Sequence, residues 1–245
     1  MDELPDIVIP VREGDHNPEL RYALRSLVNV PHRRVWIAGH MPSWVRDVRC
    51  IPTSQMRSKY ENSTGNVLAA CRAPSVAENF VLWNDDIFLL RPVEVIPVLH
   101  RGPIASVIGY YESIASKAYL RGMRTTVAIL ARLGIPEPLS YELHVPLPMT
   151  KTGFLYAHSA ATAPGMPVTR VLHKRTLYGN VARIGGAETR DCKVFRIEQA
   201  WDPGDRLFVS TVDTLFKRHP AGAYVRDLYA EPGPYEASIR KPAKR

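Results

Sequence analysis

Three consecutive polar residues, Asn84-Asp85-Asp86, stand between two apolar runs, Phe80-Val81-Leu82-Trp83 and Ile87-Phe88-Leu89-Leu90. The first run predicts a buried strand, so the two carboxylates fall at its carboxyl end, the edge where α/β sheets place ligands. Adjacent carboxylates repel each other in a low-dielectric cleft unless a cation joins them. All-oxygen ligands suit Mg²⁺ or Mn²⁺, with substrate phosphates completing the shell. The plain structural alternative is an Asn-Asp turn, because both residues favour turns through local hydrogen bonds. The flanking apolar runs favour a site.

The other groups able to do chemistry are scattered. His144 lies between prolines in a loop near Glu142; it could act as a base or bind the ion. A carboxylate that takes the proton of an attacking hydroxyl could be Glu142 or Asp213, with Glu112 and Glu188 of the same type. Asp213 follows a predicted strand and opens a helix, a pattern that an N-capping carboxylate shares. There is no GxxxxGK[ST] phosphate loop and no G-x-S-x-G elbow, which excludes P-loop and α/β-hydrolase chemistry by motif.

These residues need a frame. Residues 6–10 form a short apolar run ending in Pro10, the pattern of a buried first strand. Asn17-Pro18-Glu19 supplies an N-cap, a proline at the first helical position and an acidic first turn. Leu20, Leu24 and Leu27 continue that helix as one apolar stripe, while Arg21 and Arg25 share another face. Residues 35–39 are a second strand, and strand-helix-strand in this span is a βαβ unit. Residues 41–65 read as loop, 66–72 as a short helix, and 112–133 as a long helix interrupted at Gly122. The prolines of 136–148 and 164–167 mark loops. Residues 168–178 and 193–197 read as strands around a Gly185-Gly186 turn, and 207–209 as a last strand. Ser210-x-x-Asp213 then reads as the cap of a helix through 217. The expected fold class is α/β, a Rossmann-type, mostly parallel sheet flanked by helices, with a more irregular C-terminal half.

Residues 81–90 resemble the DxD-type metal segment of GT-A fold glycosyltransferases, in the variant with Asn first. The wider pattern resembles the second conserved region of the Stealth sugar-phosphate transferases. It is carried in order by residues 19–27, Val35-Trp36-Ile37-Ala38-Gly39, Pro42-Ser43-Trp44-Val45, Asn66 and Asn84-Asp85-Asp86-Ile87-Phe88. Phage-type glycosyltransferases of this size have a similar look. The resemblance implies a single GT-A-like domain over 1–245, with 1–100 the nucleotide-sugar and metal half, 101–237 the acceptor half and 238–245 a basic tail. It implies Asp86, with Asp85 beside it, as ligands to Mn²⁺ or Mg²⁺, and Asn84 or Asp85 near the ribose or a metal-bound water. Arg21, Arg25 and Asn66 match the family's donor and phosphate side. Val11-Arg12-Glu13-Gly14-Asp15 stands for the first-region turn; it lacks the family's Trp and adds Arg12 to that side. Leu143-His144-Val145-Pro146 resembles the segment carrying the Stealth catalytic His. Residues 207–213 resemble the last region without its Asn-Asp pair. His219 takes the place of the C-terminal His that closes the metal site in many GT-A enzymes; a basic surface turn is the competing reading.

The expected function is metal-dependent transfer of a sugar from a nucleotide-diphosphate sugar to a hydroxyl acceptor. Stealth-like sugar-phosphate transfer to a glycan, and non-catalytic nucleic-acid binding, are the alternatives. Thirty-two Lys and Arg against 24 Asp and Glu give a net charge of +8. That exceeds what a diphosphate needs, and with aromatic tips such as Tyr110-Tyr111 it allows DNA with a modified base as acceptor, beside glycan or protein. Cys50, Cys71 and Cys192 form no CxxC, which fits reduced thiols in a cytoplasmic protein. The acidic N-terminus does not read as a signal peptide, and the longest apolar runs fall far short of a membrane span, so no membrane partner is expected.

Overall fold

A computed structural model of the chain describes residues 3–14, 17–56 and 58–237. The expected basic tail, 238–245, and Asp15 of the first-region turn lie outside the described residues. Strands β1 (Asp6–Val11), β2 (Val35–Gly39), β3 (Arg49–Ile51), β4 (Asn79–Leu82), β5 (Ile87–Leu89), β6 (Leu99–His100), β7 (Leu147–Thr150), β8 (Ala187–Glu188) and β9 (Phe208–Ser210) follow in chain order. The main sheet has the order β3-β2-β1-β4-β7. Its first four strands are parallel, with Ile7 opposite Val35 and Val81, and β7 closes the edge antiparallel to β4. This is the mostly parallel α/β sheet that the sequence implies.

β1 is apolar at nearly every position because helices cover both faces of the sheet. Ile7, Ile9 and Val11 pack in one cluster with Leu20, Leu24 and Leu27 of the first helix and its continuation. Val8, on the opposite face, packs with Val67, Ala70 and Phe154. The alternation follows the two-residue period of a strand. Helix α1 (Pro18–Ser26) starts where Asn17 accepts the Leu20 N–H at 3.0 Å. Helix α2 (Lys59–Arg72) begins well before the expected residue 66, because Ser58 caps it through the Glu61 N–H at 3.2 Å. The expected loop of 41–65 therefore holds β3 and the first turns of α2.

The C-terminal half departs further from the sequence reading. The expected helix of 112–133 starts later, as α4 (Lys117–Arg132) behind the Ser116 cap, and a separate helix α3 (Ile104–Tyr111) precedes it. Gly122 does not interrupt α4; a Cβ there would lie 2.2 Å from the Val171 carbonyl oxygen, so glycine permits a close approach. Helix α5 (Lys151–Ala161) lies in a stretch without assignment from sequence. The expected strand of 168–178 is instead a loop and α6 (Lys174–Val181). Pro148, read as loop, is in β7, tolerated because β7 is the sheet edge. Of the expected strand 193–197, Lys193 makes a single bridge to Ser210 of β9. Ser210 is within β9 and caps nothing; Val212 precedes α7 (Asp213–Arg218) without a side-chain cap, and α8 (Pro220–Leu228) follows.

Among the described residues, no helix is long and apolar enough to cross a membrane. Cys50, Cys71 and Cys192 are free thiols.

Candidate active site

The turn after β4 sits at the carboxyl edge of the parallel strands, and neighbouring elements pin it. Trp83, fully buried, donates its indole N–H to the Ile87 carbonyl at 2.9 Å, closing the chain beneath the three polar residues. Each of the three then has its own anchor. Asn84 Oδ1 accepts from Arg175 at 3.1 Å. Asp85 Oδ2 accepts from Asn17 Nδ2 at 2.6 Å, which ties it to the positive end of α1. Asp86 Oδ2 lies 2.6 Å from the Lys193 ammonium. Its other oxygen, Oδ1, is buried and has no hydrogen-bond partner among the described residues.

Glu19 joins this group from the first turn of α1. It accepts the Thr211 hydroxyl at 2.6 Å. Burial pushes its carboxyl up to about 7, and the charges of Asp86 and Asp85 add to the rise. Burial and the adjacent Asp86 also raise Asp85. The sequence reading took Glu19 as a helix-end residue; its spacing from the acidic turn, 65 positions later, carried no signal of proximity.

Lys193 and Arg175 supply the positive charge. The backbone next to Lys193 is fixed to β9 by the Val194 N–H on the Ser210 carbonyl at 2.8 Å, and its side chain is only 9% exposed. Arg175, in the first turn of α6, also donates to the Val145 carbonyl at 2.5 Å. Neither residue stood out in the sequence, where Arg175 belongs to the basic stretch His173-Lys174-Arg175 and Lys193 opens the expected strand of 193–197. Lys193 and Asp191 also line a cavity of about 1120 Å³, with Arg101, Tyr110, Tyr111 and Phe195 among its walls.

His144 meets this cavity through Asp191. The His144 Nδ1 lies 2.9 Å from Asp191 Oδ2, and the His144 N–H donates to Asp191 Oδ1 at 3.1 Å. Nε2 makes no hydrogen bond to a described residue, and the ring is partly exposed. Burial raises the Asp191 carboxyl, but the His144 hydrogen bonds and charge outweigh it and hold it below the usual range. A carboxylate that fixes Nδ1 leaves Nε2 to exchange a proton.

The other expected site residues are placed elsewhere. Glu142 accepts the Thr176 N–H at 3.2 Å at the start of α6. Burial raises its carboxyl, yet His173, Lys174 and Arg175 hold it below the ordinary value, which suits a helix anchor better than a base. Asp213 is exposed and pairs with Lys217 four residues on at 3.0 Å, so it is a helix-surface ion pair and not a base in this cleft. His219 is 1% exposed; Nδ1 caps the Ala221 N–H at 3.1 Å and Nε2 lies 2.9 Å from the Gln199 carbonyl. Both its nitrogens are engaged, which corrects the expectation of a metal ligand. Arg21 and Arg25 are ion-paired to Glu236, and Arg25 also donates to the Tyr229 carbonyl at 2.6 Å. Their donors hold the C-terminal segment instead of facing a diphosphate. Asn66 is buried, donating to the Ala38 carbonyl at 2.8 Å and accepting the Thr53 hydroxyl at 2.6 Å. It packs under the end of β2, where the Gly39 φ of +119° requires glycine. Arg12 is exposed one residue past β1, on the carboxyl edge where the donor side was expected.

A metal ion fits this donor set poorly. Among the described residues, no three His, Cys, Asp or Glu side chains are grouped to hold one. One oxygen of Asp86 already faces an ammonium, and a divalent ion on the same carboxylate would sit beside that like charge.

No family model matches the chain. No curated protein matches it either. Among solved structures, one described as the WbbM bifunctional glycosyltransferase in its apo form is similar at 11% identity and a TM-score of 0.46. The match covers 95% of this chain and 45% of that one, so this chain spans less than half of its length. Function does not follow from likeness at that level; it has to come from the site.

Proposed function

We infer that the protein is a glycosyltransferase that takes a nucleotide-diphosphate sugar as donor. The observation that carries this reading is the pinned Asn84-Asp85-Asp86 turn at the carboxyl edge of a parallel sheet, flanked by Arg175 and by Lys193, which also lines the cavity walled by Asp191, the partner of His144. Acceptor-only carboxylate oxygens suit ribose and sugar hydroxyls, while the cations suit the diphosphate. Arg12, exposed one residue past β1 at the same sheet edge, joins them on the donor side in this reading.

In the transfer, the acceptor oxygen bonds to the anomeric carbon as the bond from that carbon to the phosphate oxygen breaks. The bonding pair leaves with the nucleoside diphosphate, and the acceptor proton passes to His144 Nε2. The cavity walls, where Arg101 stacks on Tyr110 and Tyr111 with centroid distances of 5.2 and 5.1 Å, suit an acceptor with flat or anionic parts. DNA fits that description, and a glycan fits by stacking alone.

The His144–Asp191 pair is also the observation that favours the second reading, sugar-phosphate transfer of the Stealth type. The two differ in the nucleotide released, a diphosphate in the first and a monophosphate in the second. A thermal-shift panel of uridine, guanosine and cytidine nucleotide-sugars tests the donor class: at least one raises the melting temperature of the wild type and not of Asp86→Ala. If none does, with or without Mn²⁺, the protein does not use a nucleotide-sugar.

A further inference from the structure

We propose that Lys193 takes the place of the divalent cation at this site, so that donor binding and transfer proceed without metal, with Asp86 reading a donor hydroxyl. This rests on the glycosyltransferase reading and deepens it.

A leaving diphosphate needs positive charge held ready near the phosphates, and a fixed ammonium in a water-poor cleft supplies it as a metal ion does. Lys193 is almost fully covered, lines the large cavity and touches Asp86 at 2.6 Å. Arg175 repeats the arrangement one step along the turn, on Asn84 at 3.1 Å. The acidic turn is thus held by two protein cations, from α6 and from the strand-like segment beside β9.

The second observation is the orphan oxygen. Asp86 Oδ1 is buried without a partner among the described residues, and a buried acceptor left unsatisfied is costly. With Oδ2 neutralised by Lys193, Oδ1 needs a neutral donor more than a second cation. A sugar or ribose hydroxyl of the bound donor provides one, and its O–H donates to Oδ1. Asp86 then contributes to selecting the donor, and Lys193 orients that carboxylate while facing the phosphates.

The test is calorimetric titration with the nucleotide-sugar that gives the largest thermal shift, in excess EDTA and then in Mn²⁺, using wild type, Lys193→Met and Lys193→Arg. Wild type binds equally in both. Lys193→Met loses about 10- to 100-fold in affinity in EDTA, the worth of a charge-assisted hydrogen bond, and Mn²⁺ restores part of it. Lys193→Arg retains most of the affinity, which separates charge from folding, and circular dichroism of all three proteins confirms the fold. Binding by wild type only in Mn²⁺ overturns the proposal and leaves the glycosyltransferase reading standing. So does a Lys193→Met protein that binds as wild type in EDTA, or one that Mn²⁺ does not restore. No binding by wild type to any nucleotide-sugar in either condition overturns both.

Discussion

Asp6 lies at the start of β1 with no exposed surface, and its oxygens take donors from Arg33, the Trp36 indole and the Ala77 N–H at 2.8–2.9 Å. Burial raises its carboxyl, but these donors together bring it below the ordinary value of 3.8. Its ionised form therefore stabilises the fold above that value, and the contribution is lost as pH falls through the folded one. Asp6→Asn should cost about 3 kcal/mol in urea unfolding at neutral pH, and its deficit should shrink in acid. Glu19 has the opposite sign. Its folded value of about 7 lies above the ordinary 4.5, so the folded state binds the proton more tightly. Its contribution is whole below 4.5 and is lost as pH rises through 7. Glu19→Gln keeps an oxygen for the Thr211 hydroxyl and removes the ionisation. Melting temperatures should match wild type at pH 4 and exceed it at pH 8; a variant less stable than wild type at pH 8 would sink this account. Sequence separated these two acids poorly, because their environments come from partners 27 to 192 positions away.

At the scale of elements, local signals worked where burial followed a period. The apolar runs of β1, β2 and β4 and the Asn17-Pro18 start of α1 were legible, and with them the position of the acidic turn. Signals failed where tertiary packing overrode propensity. Gly122 reads as a helix break and is a contact point between α4 and the Val171 backbone. Gly122→Ala gains about 1 kcal/mol in helix propensity but must displace a carbonyl, so a net loss of about 1–3 kcal/mol is expected in thermal unfolding. A stabilised Gly122→Ala protein would show that the two segments do not touch. Ser58-x-x-Glu61 was a readable cap that the polar composition of the segment concealed. Ser58→Ala should reduce stability by about 1 kcal/mol in denaturant titration. Pro148 lies in an edge strand, and no local pattern distinguishes that from a loop.

Across the molecule, the +8 charge divides among different tasks. Arg21 and Arg25 shared a helix face in the sequence, and phosphate was the natural partner. The structure gives them Glu236, from the far end of the described chain, so they fasten the C-terminal segment to α1. Glu236→Ala leaves Arg25 covered without its counter-ion and should cost about 3 kcal/mol, with faster proteolysis of the terminal segment and unchanged donor affinity. The cations beside the acidic turn come instead from Lys193 and Arg175, which only the folding of the second half onto the first brings there. Long-range placement of these cations therefore sets the chemistry of the acidic turn, and the nucleotide released reads it out directly. Wild type incubated with a binding nucleotide-sugar and excess EDTA should release a nucleoside diphosphate, identified by mass, and Asp86→Ala should release none above background. Release of a nucleoside monophosphate, or no nucleotide product from any donor, would contradict it.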